Sequence, residues 1–122
     1  MHKIVLDHVN KLLEMRLSGP ASLADIISAG TAAPAAVRSF GTPPGAHRSI
    51  YDLSEMGAIS DEAIDKAFSE WADPRFTCVR ARKVAIVAPP PLIRSRLEKL
   101  RDSRPGLSVF ETRQQAMRWL FA

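Results

Sequence analysis

At 122 residues, 46% of them hydrophobic and 25% charged, the chain has the size and usage of one globular domain spanning residues 1–122, too apolar for a disordered segment. Its single cysteine, Cys78, excludes an internal disulfide and a cysteine metal cluster, and no apolar run nears the roughly 18 residues a membrane span needs. The formal charge of +4 is uneven, with five Lys/Arg against six Asp/Glu in residues 1–61 and twelve against seven in residues 62–122.

The first elements read as a hairpin. Ile4-Val5-Leu6 precedes the polar break Asp7-His8, and Leu13, Met15 and Leu17 then alternate with Leu12, Glu14 and Arg16. That period of two predicts a strand with one face on the core and one in water, ending at Gly19-Pro20. Ser22 and Asp25 have capping-box spacing before a helix whose apolar positions are Leu23, Ile26, Ile27 and Gly30. Pro34 is expected to end or kink it, and residues 39–47 read as an irregular surface loop.

Ser49 to Leu53 is the third strand, followed by a loop over Ser54 to Ile59. Ser60 can cap a second helix whose first turn carries Asp61 and Glu62, charges that suit the positive end of the helix dipole. Ile64, Ala67, Phe68 and Trp71 form its stripe, and Asp73-Pro74 stops it. Val84 to Ala88 is a continuous apolar run, the pattern of a strand covered on both faces. Pro89-Pro90-Pro91 opens a third helix with Ile93, Leu97 and Leu100 inward and Arg94, Arg96, Lys99 and Arg101 outward. Leu107 to Phe110 is the last strand. Thr112 and Gln115 then cap a C-terminal helix with Ala116, Trp119 and Leu120 facing in. The order β-β-α-β-α-β-α-β-α predicts an α/β fold: a mixed, largely parallel sheet of four to five strands, an antiparallel edge hairpin and four flanking helices.

Residues that could carry chemistry are scattered. His2, His8 and His47 have no metal-ligand spacing and read as surface or loop histidines. Cys78 has cationic neighbours but reads as a small buried hydrophobe. Gly41 to Ser49 lacks the lysine and glycine spacing of a phosphate loop and precedes a strand instead of following one. Asp52, Glu55, Asp61 and Glu62 gather near the end of the third strand, where open α/β sheets place ligand sites, without a partner base or metal. The basic stretch Arg94 to Arg104 has no interleaved aromatics and reads as a solvated face. The expectation is therefore no catalytic, cofactor or metal site, no nucleic acid and no membrane span. With an N-terminal apolar stretch too short for a secretory signal, a cytoplasmic location is expected.

Taken together, the opening hairpin, His47-Arg48-Ser49-Ile50-Tyr51-Asp52-Leu53-Ser54, Arg82-Lys83-Val84-Ala85-Ile86-Val87, Val109-Phe110 and Ala116-Met117-Arg118-Trp119-Leu120 resemble the SpoIIAA-like family of small bacterial STAS-type domains, typified by anti-sigma-factor antagonists. The resemblance implies a non-catalytic regulatory module that binds a protein partner. Antagonists of this group carry Asp-Ser-Ser-Gly after the Asp-Leu-Ser segment, a serine there being the phosphorylation switch. At the matching place this chain has Ser60-Asp61-Glu62-Ala63, so acids stand at the phosphoacceptor positions and the switch is expected to be missing. The partner surface expected from the resemblance comprises Asp52, Ser54, Glu55, Ser60, Asp61 and Glu62. A homodimer remains open, as does the alternative of a sensor for a small apolar or anionic ligand or a lipid.

Overall fold

The computed structural model describes residues 2–43, 45–72 and 81–122. Five strands and four helices alternate as β1 (His2–Asp7), β2 (Leu12–Ala21), α1 (Leu23–Arg38), β3 (Arg48–Ile59), α2 (Asp61–Ala72), β4 (Lys83–Val87), α3 (Pro91–Ser103), β5 (Leu107–Phe110) and α4 (Arg113–Leu120). They form one sheet in the order β1-β2-β3-β4-β5. The β1–β2 pair is antiparallel and every other pair is parallel. The fold class and element order expected from the sequence are those observed.

Because the parallel strands follow one another across the sheet, crossovers of one hand put their helices on one side. There α1 and α2 pack together and α3 packs on β5, around Leu17, Ile26, Leu53, Ile64, Phe68, Ile86 and Leu97. The chain turns to the opposite face only after β5. There α4 lies over β3, β4 and β5, burying Leu12, Ile50, Ala85, Val87, Ala116 and Leu120. Trp119 is half-buried at the rim of this second cluster, tilted against Phe110 at 5.4 Å and under the Lys83 ammonium at 4.9 Å.

Local chemistry explains most boundaries. Asp7 closes the first hairpin: its Oδ1 accepts from the amides of Val9 and Asn10, and its Oδ2 from Asn10 Nδ2 at 2.8 Å. The amide and side chain of Asn10 hold the Asp7 carboxyl below the usual carboxylate range. The predicted capping box is present, with Ser22 Oγ accepting from the Asp25 amide at 3.3 Å and Asp25 Oδ2 accepting from the Ser22 amide at 2.8 Å. That amide, and the Ser22 hydroxyl after it, lower the Asp25 pKa.

Five sequence-based expectations are corrected. First, α1 does not end at Pro34, which lies inside a helix running on to Arg38. The proline forfeits one backbone bond, but buried Ala33 and Val37 on either side of it anchor the last turn. Second, the segment from Ser54 to Ile59 is strand, not loop. It pairs with the far end of β2, which itself runs past Gly19-Pro20 to Ala21. Pro20 falls in a register shift where a missing donor is tolerated. A Cβ on Gly57 would lie 3.2 Å from the Gly19 carbonyl carbon, so a larger residue there requires the ribbon to give by a few tenths of an ångström. Third, the water-facing side expected for β2 is covered over its first part, where Leu12 and Glu14 are buried, and meets water at Arg16. Fourth, the segment leading into β3 is not simply surface: Phe40 and His47 are buried, their rings 6.1 Å apart. Fifth, Arg96 does not simply face outward. Its guanidinium lies 4.3 Å over the Phe68 ring and donates to Asp65 Oδ1 at 2.9 Å, tying α3 to α2. Arg104 is buried as well. Cys78, the Asp73-Pro74 stop and the inward placement of the Trp71 side chain fall outside the described residues.

Candidate functional site

Beyond the point where β4 ends, β3 is paired, among the described residues, with β2 alone. There the register slips. Arg16 lies opposite Asp52 and Ser18 opposite Glu55, so two steps along β2 match three along β3. This bulge has a consequence for the site. Residues two apart on β2 share a face, so Asp52 and Glu55, three apart in sequence, also share one. With Ser54 between them, and with Arg16 and Leu17, they line a shallow cleft of about 60 Å³. The Asp52 Oδ1 also accepts from the Ser54 amide at 3.0 Å, which keeps this carboxylate along its own strand.

Five residues further on, roughly 15 Å at strand rise, lie the other three predicted residues. The Ser60 amide donates to the carbonyl of Ala21, the last residue of β2, fixing the start of α2 to the sheet. Its Oγ accepts from the Ala63 amide at 3.2 Å, satisfying one of the unpaired donors at the helix start. Asp61 and Glu62 occupy the exposed first turn of α2, where the helix dipole favours negative charge. The six residues thus form two groups. Asp52, Ser54 and Glu55 border a cleft with Arg16, while Ser60, Asp61 and Glu62 crown the tip of the β2–β3 ribbon where the chain passes into α2.

Sequence reasoning missed Arg16 and the ion pairs beside it. On the α4 side of the sheet, Glu14 is almost fully buried, its carboxylate accepting from Arg113 Nε at 3.0 Å on both oxygens. Arg16 Nη2 donates to the same group at 3.2 Å. Arg113 is the first residue of α4 and lies 99 positions away in the chain; no local pattern links them. The cross-strand pairing of Arg16 with Asp52 needed the β2–β3 register, which hydrophobic alternation alone does not fix once bulges intervene.

Among the described residues no group of three or more His, Cys, Asp or Glu side chains could hold a metal ion, and no helix is long and apolar enough to cross a membrane. No protein-family model matches the sequence, and no curated protein matches it significantly. Solved structures do resemble it. An uncharacterised protein of the DUF3478 family with a SpoIIAA-like fold, from Shewanella loihica PV-4, superposes with a TM-score of 0.69 at 17% identity, covering 98% of this chain and 93% of that one. The anti-sigma factor antagonist SpoIIAA in its unphosphorylated form gives 0.67 at 11% identity, covering 100% and 99%. A candidate anti-sigma factor antagonist from Thermotoga maritima gives 0.63 at 11%, covering 100% and 94%. At these identities the likeness establishes the architecture, and the fold is SpoIIAA-like.

Proposed function

We propose that the chain is a non-catalytic regulatory module of the cytoplasm that binds a protein partner through a permanently anionic surface at the start of α2, without a serine phosphorylation switch. The observation that carries this reading is the state of the α2 N-terminus. The Ser60 hydroxyl is engaged as a helix cap, and Asp61 and Glu62 are exposed beside it. A phosphate at such a position adds about −1.5 to −2 charges where a helix dipole and free amides receive them. Two carboxylates supply comparable charge here at all times. SpoIIAA, solved in an unphosphorylated form, is by that designation a protein that also has a phosphorylated one; this chain is built like a locked counterpart. Asp52, Ser54 and Glu55 extend the surface along the ribbon.

The cleft beside them argues against a ligand sensor using that place. Small-molecule pockets enclose about 300–1,000 Å³, against about 60 Å³ here. Native mass spectrometry of freshly purified protein separates the two readings, because a co-purifying protein supports the module and a retained small molecule supports the sensor. Incubation with ATP and a bacterial anti-sigma kinase is expected to leave the intact mass unchanged. An Asp61→Ser, Glu62→Ser double variant is expected to weaken partner binding with an unchanged circular dichroism spectrum. Stoichiometric phosphorylation of Ser54 or Ser60 overturns the proposal.

A further inference from the structure

The outer edge of β1 carries a self-complementary pattern, and we propose that two copies of this chain pair there, antiparallel, around a two-fold axis at Val5. Among the described residues β1 is one of the two edges of the sheet, and an unpaired strand edge is a template for another chain. The opposite edge is a poorer one, β5 being only four residues long. Directly opposed residues in a ladder share a face, so a two-fold antiparallel pair must centre on a residue. Three centres near the middle of β1 can be compared. Centring on Ile4 puts Lys3 against Val5, and centring on Leu6 puts Val5 against Asp7. Centring on Val5 puts Lys3 opposite Asp7 of the second copy, twice by symmetry, with Val5 against itself and Ile4 against Leu6. Of the three, only that register answers both charges with opposite ones.

Three features of the fold agree with it. Lys3 lies directly across from Arg16 within the chain, a like-charge pair that costs stability; a carboxylate arriving from outside the edge offsets it. Val5 is 37% exposed on the face that α4 leaves open, and the pairing covers it with apolar surface. On the other face α1 packs against β1 and β2, so the two-fold brings a second α1 alongside the first. Ser28, Ala32 and Ala36, four apart and so on one side of α1, are small; Ala36 packs on the same Leu13, Val37 and Phe40 cluster as Ile4 and Leu6, the inward residues of β1. Small side chains there leave room for helix axes about 8–10 Å apart. The result is a continuous ten-stranded sheet. It leaves both acidic α2 starts free, because β3 is two strands from the axis.

Sedimentation velocity over a concentration series tests the proposal. The natural chain is expected to show a concentration-dependent monomer–dimer equilibrium. Lys3→Glu and Asp7→Lys each set like charges against one another at both pairs, and each is expected to weaken the dimer by about tenfold or more. An equimolar mixture of the two variants restores opposite charges at both pairs, so a heterodimer should reappear, resolved by native mass. Since Asp7 also holds the hairpin turn, Asp7→Asn serves as a second variant. It keeps an oxygen acceptor for the Val9 and Asn10 amides while removing the charge and the contact with Asn10 Nδ2, and should weaken the dimer while circular dichroism shows the monomer still folded. A natural chain that stays monomeric at all concentrations, a dimer indifferent to both charge reversals, or a mixture that forms no heterodimer overturns the pairing.

Discussion

On the side of the sheet covered by α1, α2 and α3, Leu17, Leu53, Ile86 and Leu97 share one apolar cluster, whereas on the α4 side the same sheet buries a carboxylate, Glu14, under two arginines. The topology accounts for the difference. Three crossover helices of one hand fill the first face, and the second is left to a helix of eight residues that lies over β3, β4 and β5. Where α4 begins, long cationic side chains take over from apolar ones. Their guanidinium groups neutralise the charge beneath. One face is therefore held by packing. The other is held partly by ion pairs, whose benefit depends on every partner being present.

The largest effect is expected on the packed face. Leu97 is fully buried, and Leu97→Ala should destabilise the protein by about 2–5 kcal/mol, through lost transfer free energy and the cavity left behind. Chemical denaturation measures it, and a loss below about 1 kcal/mol would show that this face is less tightly packed than described. The half-buried Trp119 on the opposite face should cost less when truncated, because part of its ring already meets water.

The ion pairs give the next effect, and it is asymmetric. Arg113→Ala leaves buried Glu14 paired with Arg16 and should cost about 1–3 kcal/mol. Glu14→Leu instead removes the buried charge, and both arginines, about half exposed, can turn to water. Replacing a buried ionic group with a well-packed apolar one is often neutral or stabilising. The outcome expected is a melting temperature at or above that of the natural chain. If Glu14→Leu proved more damaging than Arg113→Ala, the carboxylate would be holding the fold rather than being tolerated by it.

The smallest effect concerns the start of α1. Ser22→Ala removes one half of the capping box and should cost about 1 kcal/mol. Asp25→Ala removes the other half, and its effect should depend on pH. The folded-state pKa of Asp25 is lowered, first by the Ser22 amide and then by its hydroxyl. The stabilisation is therefore present above the ordinary carboxylate value of about 4 and lost as pH falls through the lowered folded value. Natural chain and Asp25→Ala should differ near neutrality and converge in acid. A difference that persists in acid would assign the effect to helix propensity.

Much of this molecule was legible because its signals are local. The apolar run at Val84–Val87, the caps at Ser22, Ser60 and Thr112, and the stripe of Ile93 and Leu97 are statements about neighbours three or four residues apart, and each element stands where those residues put it. The candidate surface was half legible by the same rule. Ser60, Asp61 and Glu62 belong to one helical turn. That Asp52 and Glu55 share a face, with Arg16 beside them, follows from a bulge.

What only the tertiary structure decided is whatever depends on partners remote in the chain. Pro34 did not end its helix, because Ala33 and Val37 are buried on either side of it and outweigh one missing bond. Residues 54–59 became strand because β2 continues far enough to offer them a ladder. Glu14, polar in an alternating pattern, was expected in water; Arg113, 99 residues later, is what closes over it. Periodicity reports which side of an element differs from the other. It does not report what will lie against that side, since the free energy of burying a charge is set by whichever group arrives to pair with it.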